Sequence, residues 1–340
     1  MVEILKENWF VVLLAVILVG FVGFFVYDNN KYNVSGKSSE GSAVLASVAQ
    51  QDITADGVYE DLSKNDDALL FNFYRNAVIN EFIPTTDELK ASAKNMMMNI
   101  EANAQSSGEG EAYKLAITAE LGNYGYSKYE DLIDYCLTFA KEKEMDTKYI
   151  EKHFSDVQKA VEEKQARTIS IITMSVADPE ALTEEEQKKK DAIVKEIESE
   201  SFADAAKKLS EDVQTAGNEG FYGYVDADTS SSELASEVLE ASLSLNKGET
   251  SDWIIVKNEN TGATTLYKVY VNETDLKKIY DKGLDSTKDA VLTAILQNNE
   301  NLDLVILEDA ANQIKDITYT NKETKKRIES YISTLKGENE

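Results

Sequence analysis

His153 and Cys136 are the only histidine and the only cysteine among 340 residues. A Cys/His metal site cannot be built from one of each, and one cysteine excludes an intrachain disulfide. Cys136 falls in Tyr129-x-x-Leu132-Ile133-x-x-Cys136, an apolar face at helical spacing, so it reads as packed core. No nucleophile elbow, phosphate loop, dinucleotide fingerprint, zinc-protease or EF-hand spacing occurs. No cofactor is expected. Carboxylates are abundant, but Glu184 to Glu186 and Glu196, Glu198 and Glu200 read as solvated helix faces rather than a dyad. Asp212 closes the run 201–212. It is either a site carboxylate or a helix-end or loop carboxylate, and the residues alone leave both open.

The elements that must position Asp212 run from residue 166 to 271. Ala166-Arg167-Thr168-Ile169-Ser170-Ile171-Ile172 alternates as a strand does. Thr183-Glu184-Glu185-Glu186 is a capping box that opens a charged helix. Glu219-Gly220-Phe221-Tyr222-Gly223-Tyr224 leads to a short apolar helix over 234–245. Gly248-Glu249 turns the chain into two β-rich runs, 253–256 and 264–271. Tyr222 and Tyr224 are client contacts or plain strand residues.

That order resembles the parvulin family of peptidyl-prolyl isomerases. The family pattern runs A-R-H-I-L, F-x-x-x-A-x-x-x-S-x-D, G-G-x-L-G, L-x-x-G-E and H-I-I-K-V. Phe202, Ala206, Ser210 and Asp212 keep its spacing, as do Gly220 and Gly223, Leu245 with Gly248-Glu249, and Lys268-Val269. The resemblance implies an antiparallel sheet flanked by helices. It also implies a prolyl site in which Asp212 is the acidic group. Leu234 and Val238 match the proline-pocket Met and Phe, and Tyr222 matches the Leu of the glycine motif. The two family histidines fall on Thr168 and Thr265, side by side under Asp212. Rotating an X-Pro bond faces a barrier of about 18–20 kcal/mol and takes roughly tens of seconds uncatalysed. Two threonines can hydrogen-bond each other but supply no imidazole, and Val238 makes a shallower pocket than an aromatic. The departures imply a degenerate isomerase domain.

Charge is lopsided, with 35 basic against 62 acidic residues and a net charge of −27. That argues against nucleic acid, whose phosphates need clustered Lys and Arg. It suits a self-repelling, soluble surface and basic or unfolded clients. Residues 9–27 form one apolar run. At about 1.5 Å per residue it reaches roughly 28 Å, close to a hydrocarbon core of about 30 Å. No small-x-small cleavage site closes it, so it reads as an uncleaved signal anchor with a short tail (1–8) inside and the body outside. Residues 28–43 read as a flexible tether.

Beyond the tether, Val44-Leu45-Ala46-Ser47-Val48-Ala49-Gln50-Gln51-Asp52-Ile53-Thr54 reads as a hairpin before a helix. It is similar to the V-A-x-V-N-G-x-x-I-T-x-x-D-L-Y opening of PrsA- and SurA-type foldases, ending here at Tyr59. Leu70, Phe73, Tyr74, Ala77, Val78 and Ile79 recur at helical spacing, and Pro84 stops that helix. Thr85-x-x-Glu88 and Ser127-x-x-Glu130 predict two further capped helices. Met96-Met97-Met98 reads as core packing, with an adaptable client surface as the alternative. Helices are predicted over 291–305 and 320–335, and a strand over 314–319.

The foldase resemblance implies an α+β chain. Residues 44–165 and 274–340 make two halves of one helical lobe, and a parvulin-like domain, 166–273, is inserted between them. The implied function is a membrane-anchored extracytoplasmic chaperone for unfolded or partly folded secreted proteins, with a homodimer left open. A working isomerase using Asp212 and a structural surface protein are the rival readings.

Overall fold

The structure is a computed structural model that describes residues 38–39, 41–48, 51–58, 66–106, 112–259, 261–319 and 321–338. The apolar run 9–27 lies outside them. Among the described residues no helix is long and apolar enough to cross a membrane. The fold mixes α and β. It opens on β1 (Ser38–Ser39), β2 (Ser42–Val48) and β3 (Gln51–Thr54), an antiparallel set. β2 and β3 make the expected hairpin, with Val48 opposite Gln51. Within the stretch 28–43, Gly41 at φ +91° turns the chain and lets Ser39 pair with Ser42, so 38–39 and 42–43 are strand; residues 28–37 and 40 lie outside the described residues.

α1 (Asp67–Phe82) begins where the Asp66 carboxylate accepts from the Leu69 N–H, and it ends one residue before Ile83, which precedes Pro84 and is extended. α2 (Asp87–Ser106), α3 (Ala112–Gly122) and α4 (Leu132–Lys152) follow. Both predicted caps move by one residue. Thr86, not Thr85, accepts from the Leu89 N–H. Asp131, not Glu130, accepts from the Ser127 and Lys128 N–H groups at 3.0 Å, because Lys128 takes the cap position of the turn before α4. Cys136 is buried with Ala93, Leu121 and Leu132, and burial pushes its thiol up to about 11. Met96 and Met97 pack on that cluster, while Met98 is exposed.

Two single-turn helices, α5 (Phe154–Val157) and α6 (Lys159–Glu162), lead into the central unit. Its elements are β4 (Arg167–Val176), α7 (Glu184–Ser199), α8 (Phe202–Leu209), β5 (Phe221–Val225), α9 (Ser236–Ser244), β6 (Ile254–Lys257) and β7 (Thr264–Glu273). The strands form one antiparallel sheet in the order β5-β4-β7-β6. Side chains alternate between its faces. Ile172, Met174, Val176 and Leu266 bury against Ile193, Phe202, Ala205 and Ala206 of α7 and α8. Ile169, Ile171, Val269 and Val271 bury on the other face, with Leu234 and with Val238 of α9. The predicted Thr183/Glu186 box opens α7.

α10 (Leu276–Lys282), α11 (Asp285–Asn298), α12 (Leu302–Gln313) and α13 (Lys322–Leu335) complete the chain. The helix predicted over 291–305 is broken. Asn299 donates to Ile295 O and Val157 O, and Asn301 adopts φ +57°, which asparagine tolerates well. The strand predicted over 314–319 does not form. Residues 315 and 316 turn the chain instead, and no described strand lies beside the segment. The four last helices share one core with the first half of the chain: Phe71, Val78 and Ile79 of α1 and Met145 and Ile150 of α4 bury with Ile279, Val291, Ile295, Leu307 and Ile328.

Asp146 on α4 is pushed up to about 7, first by burial and then by the charges of Glu142 and Asp303, against the opposing Arg75. Its folded value exceeds the unfolded value near 3.9. Protonation therefore favours the fold: the contribution is full below pH 4 and is lost as pH rises through 7. Asp146→Asn is expected to stabilise the protein at pH 8 by on the order of 2 kcal/mol and to change little at pH 4. Urea midpoints at the two pH values check this; equal shifts at both would refute it.

Candidate functional site

The site is built on one rung of the sheet. Thr173 of β4 lies opposite Tyr267 of β7, and Tyr267 lies opposite Ile254 of β6. Cross-strand partners share a face, so these three sit on the face that carries α9, one rung beyond Ile171 and Val269. The loop after α8 is fastened across this rung. The Thr173 N–H donates to Ser210 Oγ at 3.1 Å, and Thr173 O accepts from the Glu211 N–H at 3.0 Å. Asp212 is thereby delivered beside the two tyrosines.

The Asp212 carboxylate is engaged within its own loop. It accepts from the Thr215 hydroxyl at 2.6 Å and the Gln214 N–H at 3.2 Å. Its charge also acts on both neighbours: burial first, then Asp212, raises the Tyr267 phenol. Tyr222 is raised by burial, then by Glu233, Tyr267 and Asp212. The Tyr222 hydroxyl donates to Glu233 O at 2.8 Å. Val213 stands 89% exposed at the lip. Gly220, at φ +79°, lets the Ile171 N–H reach its carbonyl at 2.8 Å.

Of the residues singled out in the sequence, Asp212, Tyr222, Leu234 and Val238 come together on this face. Leu234 and Val238 are buried beneath Tyr222 and Tyr267, so they form a floor rather than an open prolyl pocket. Thr168 and Thr265 are not side by side. Thr168 lies opposite Glu273, whereas Thr265 lies opposite Ser175. That is seven residues along β4, or about 23 Å at roughly 3.3 Å per residue. Thr168 instead lines a separate cavity of about 460 Å³ with Ser170, Asn272 and Lys278. The physical reason is strand length: β4 runs ten residues, and the Asp212 loop is held at its seventh, Thr173, not at its start. Thr173 and Tyr267 are the site residues that sequence reasoning missed. The alternation of Ile169, Ile171 and Thr173 on one face carried the signal. His153 packs elsewhere, stacked on Tyr149 with centroids 4.4 Å apart. Among the described residues no group of three or more His, Cys, Asp or Glu side chains could hold a metal ion.

A second concavity lies in the helical lobe. A cavity of about 970 Å³ runs between α1 and the segment 314–319, lined by Leu70, Phe73, Tyr74, Ala77, Ile317 and Tyr319 among others. Phe73 is 55% exposed. Residues 315 and 316 form a turn in the cavity wall. Burial, followed by the Tyr319 hydroxyl, raises the Tyr74 phenol, with Glu308 and Glu329 adding to it.

Residues 147–254 match the family described as the PPIC-type PPIASE domain. The match runs from late in α4 through α9 to the first residue of β6, and it contains the Asp212 loop and β4. Solved structures with a similar path are the foldases PrsA of Streptococcus pneumoniae and of Bacillus subtilis. The first is 20% identical over 85% of this chain and 99% of that one, with a TM-score of 0.39. The second is 18% identical over 84% and 98%, with a TM-score of 0.41. A SurA-like chaperone structure from Campylobacter jejuni is 16% identical over 82% and 100%, with a TM-score of 0.21. No curated protein matches the chain.

Proposed function

We propose that the chain is a membrane-anchored, extracytoplasmic chaperone of the PrsA/SurA type that holds non-native segments of secreted proteins. The observation that carries this reading is the apolar cavity of about 970 Å³ beside α1. It exposes aromatic and aliphatic surface in one open groove, which suits an apolar segment of an unfolded chain. Glu81 and Asp316 at its rim, within a chain of net charge −27, favour basic clients and keep the complex soluble. The family match over 147–254 supports a parvulin-like unit at 166–273, and the apolar run 9–27 supports the anchor. Residues 44–165 and 274–340 are then the two halves of the holding lobe. Asp212, with Tyr222, Leu234 and Val238, is a degenerate prolyl site; Thr168 and Thr265 take no joint part in it.

Phe73→Asp tests the holding reading, because the side chain is exposed and its loss does not empty the core. Suppression of client aggregation is expected to fall several-fold at unchanged helical content, and undiminished suppression would sink the reading. A second reading, a working isomerase, rests on the carboxylate of Asp212. In that case the protein accelerates refolding of a proline-limited substrate, and Asp212→Ala abolishes the acceleration. A holdase is indifferent to that change.

A further inference from the structure

The cavity of about 460 Å³ beside Thr168 belongs neither to the holding groove nor to the Asp212 face. It lies at the seam between the sheet unit and the helices that follow it. Thr168 and Ser170 of β4 and Asn272 of β7 line one side, and Lys278, Lys282 and Thr287 of α10 and α11 line the other. We infer that this cavity binds a phosphate group, free or carried as an ester. The inference goes beyond the chaperone reading and does not depend on it.

The argument begins with two buried hydroxyls. Thr168 is 5% exposed and Thr287 is 3% exposed. Ser170 beside them is satisfied, since Asn272 Nδ2 donates to its Oγ at 3.1 Å. Among the described residues neither threonine hydroxyl has a hydrogen-bond partner. A buried hydroxyl that makes no hydrogen bond costs stability, and a ligand oxygen in this cavity would supply the missing partner.

A helix end adds further donors. Gly283, Leu284 and Thr287 bring the start of the 14-residue α11 to the cavity wall. Leu284 holds the cap position and gives no side-chain cap, so the first-turn N–H groups stand uncapped. Those groups and the positive end of the helix dipole favour an anion.

Charge points the same way. Lys282 forms no ion pair among the described residues, whereas Lys278 is held by Asp275 at 2.8 Å. Two carboxylates line the wall. Glu273 is engaged by Lys247 and by the Thr274 and Asp275 N–H groups, and Glu219 stands exposed, as does Asp285 at the start of α11. Hydroxyl, amide and ammonium donors together suit a charged group rich in acceptor oxygens, as phosphate is. The volume falls within the roughly 300–1,000 Å³ of small-molecule sites, so the alcohol of an ester has room beside Phe221 and Leu284.

The test titrates the full chain in detergent, by calorimetry, with inorganic phosphate, glycerol 3-phosphate, glycerophosphoglycerol and acetate. At least one phosphate compound is expected to bind about tenfold more tightly than acetate. The tightest of the three names the source: the free ion, a soluble ester or a lipid headgroup. Lys282→Gln should weaken that binding about tenfold. Thr168→Val and Thr287→Val keep the side-chain shape, remove the hydroxyl and should each weaken it about fivefold. Lys277→Gln makes the same charge change on α10 at a side chain outside the cavity, paired with Asp281, and should leave binding within about twofold. No binding of any phosphate compound, acetate binding as tightly, or equal losses from Lys282→Gln and Lys277→Gln would each overturn the inference. Lys282 is exposed, so its variant decides the matter even if a valine variant fails to fold. Phe73→Asp should bind phosphate undiminished, which separates this site from the holding function.

Discussion

Deleting residues 274–340 is expected to unfold α1 and the second half of α4 while the four-stranded sheet persists. The deletion removes Leu276, Ile279, Val291, Ile295, Leu302, Ile306, Leu307, Ile328 and Ile332 from the core that buries Phe71, Val78, Ile79 and Ile150. Each such side chain is worth about 1.5–3 kcal/mol when fully buried. The sum far exceeds the roughly 5–15 kcal/mol that separates folded from unfolded domains. The polar ties across the same seam go too: Arg327 with Asp67, Lys143 with Asp289 at 2.7 Å, and Tyr280 with Glu151 at 2.8 Å. The two cores of the sheet, by contrast, draw only on residues between Ile169 and Val271. Hydrogen exchange measured segment by segment decides the matter. Amides of β4 and β7 should stay protected and those of α1 should exchange freely; protected α1 amides would contradict the shared core.

Gly220→Ala is expected to destabilise the sheet unit by roughly 2–5 kcal/mol, the sum of left-handed backbone strain and overpacking. Gly220 sits at φ +79°, and an added Cβ would lie 2.7 Å from both the Ala206 Cβ and the Ile171 oxygen. Neither neighbour can retreat, since one belongs to α8 and the other to β4. Gly223 is the control. It has φ +128° but nothing within 4 Å of an added Cβ, so Gly223→Ala should cost only the backbone strain. Denaturant titration of both variants separates the two causes, and equal losses would remove the packing explanation. Because Gly220 also donates to Thr215 O at 2.9 Å, the larger defect should disturb the Asp212 loop as well.

Much of the central unit was legible because its signals are local. The Thr183/Glu186 box, the glycines at 220 and 223 and the turn at Gly248 each dictate a backbone shape within a few residues. The meeting of Asp212 with Tyr267 was not legible, because it depends on how far β4 extends before β7 returns beside it. Matching the start of the strand to a motif placed Thr168 in the site, whereas antiparallel register put Thr173 there. The break after Asn298 was hidden for a related reason. Its asparagine side chain satisfies a carbonyl of α5, 142 residues away. The segment 314–319 has a strand's composition but lacks the partner that would make it one.

The lobe that α1 shares with α11, α12 and α13 has a temporal consequence. A ribosome releases a chain from its amino end, so α1 and α4 emerge long before the helices that cover them. The sheet unit, whose contacts lie closer together along the chain, can close first. During that interval the early helices expose Phe71, Val78 and Ile79 with nothing to bury them. Until residues 276–332 have been made, the leading helices of this chain therefore stand with their apolar faces uncovered, and it is then that the chain most needs protection from aggregation.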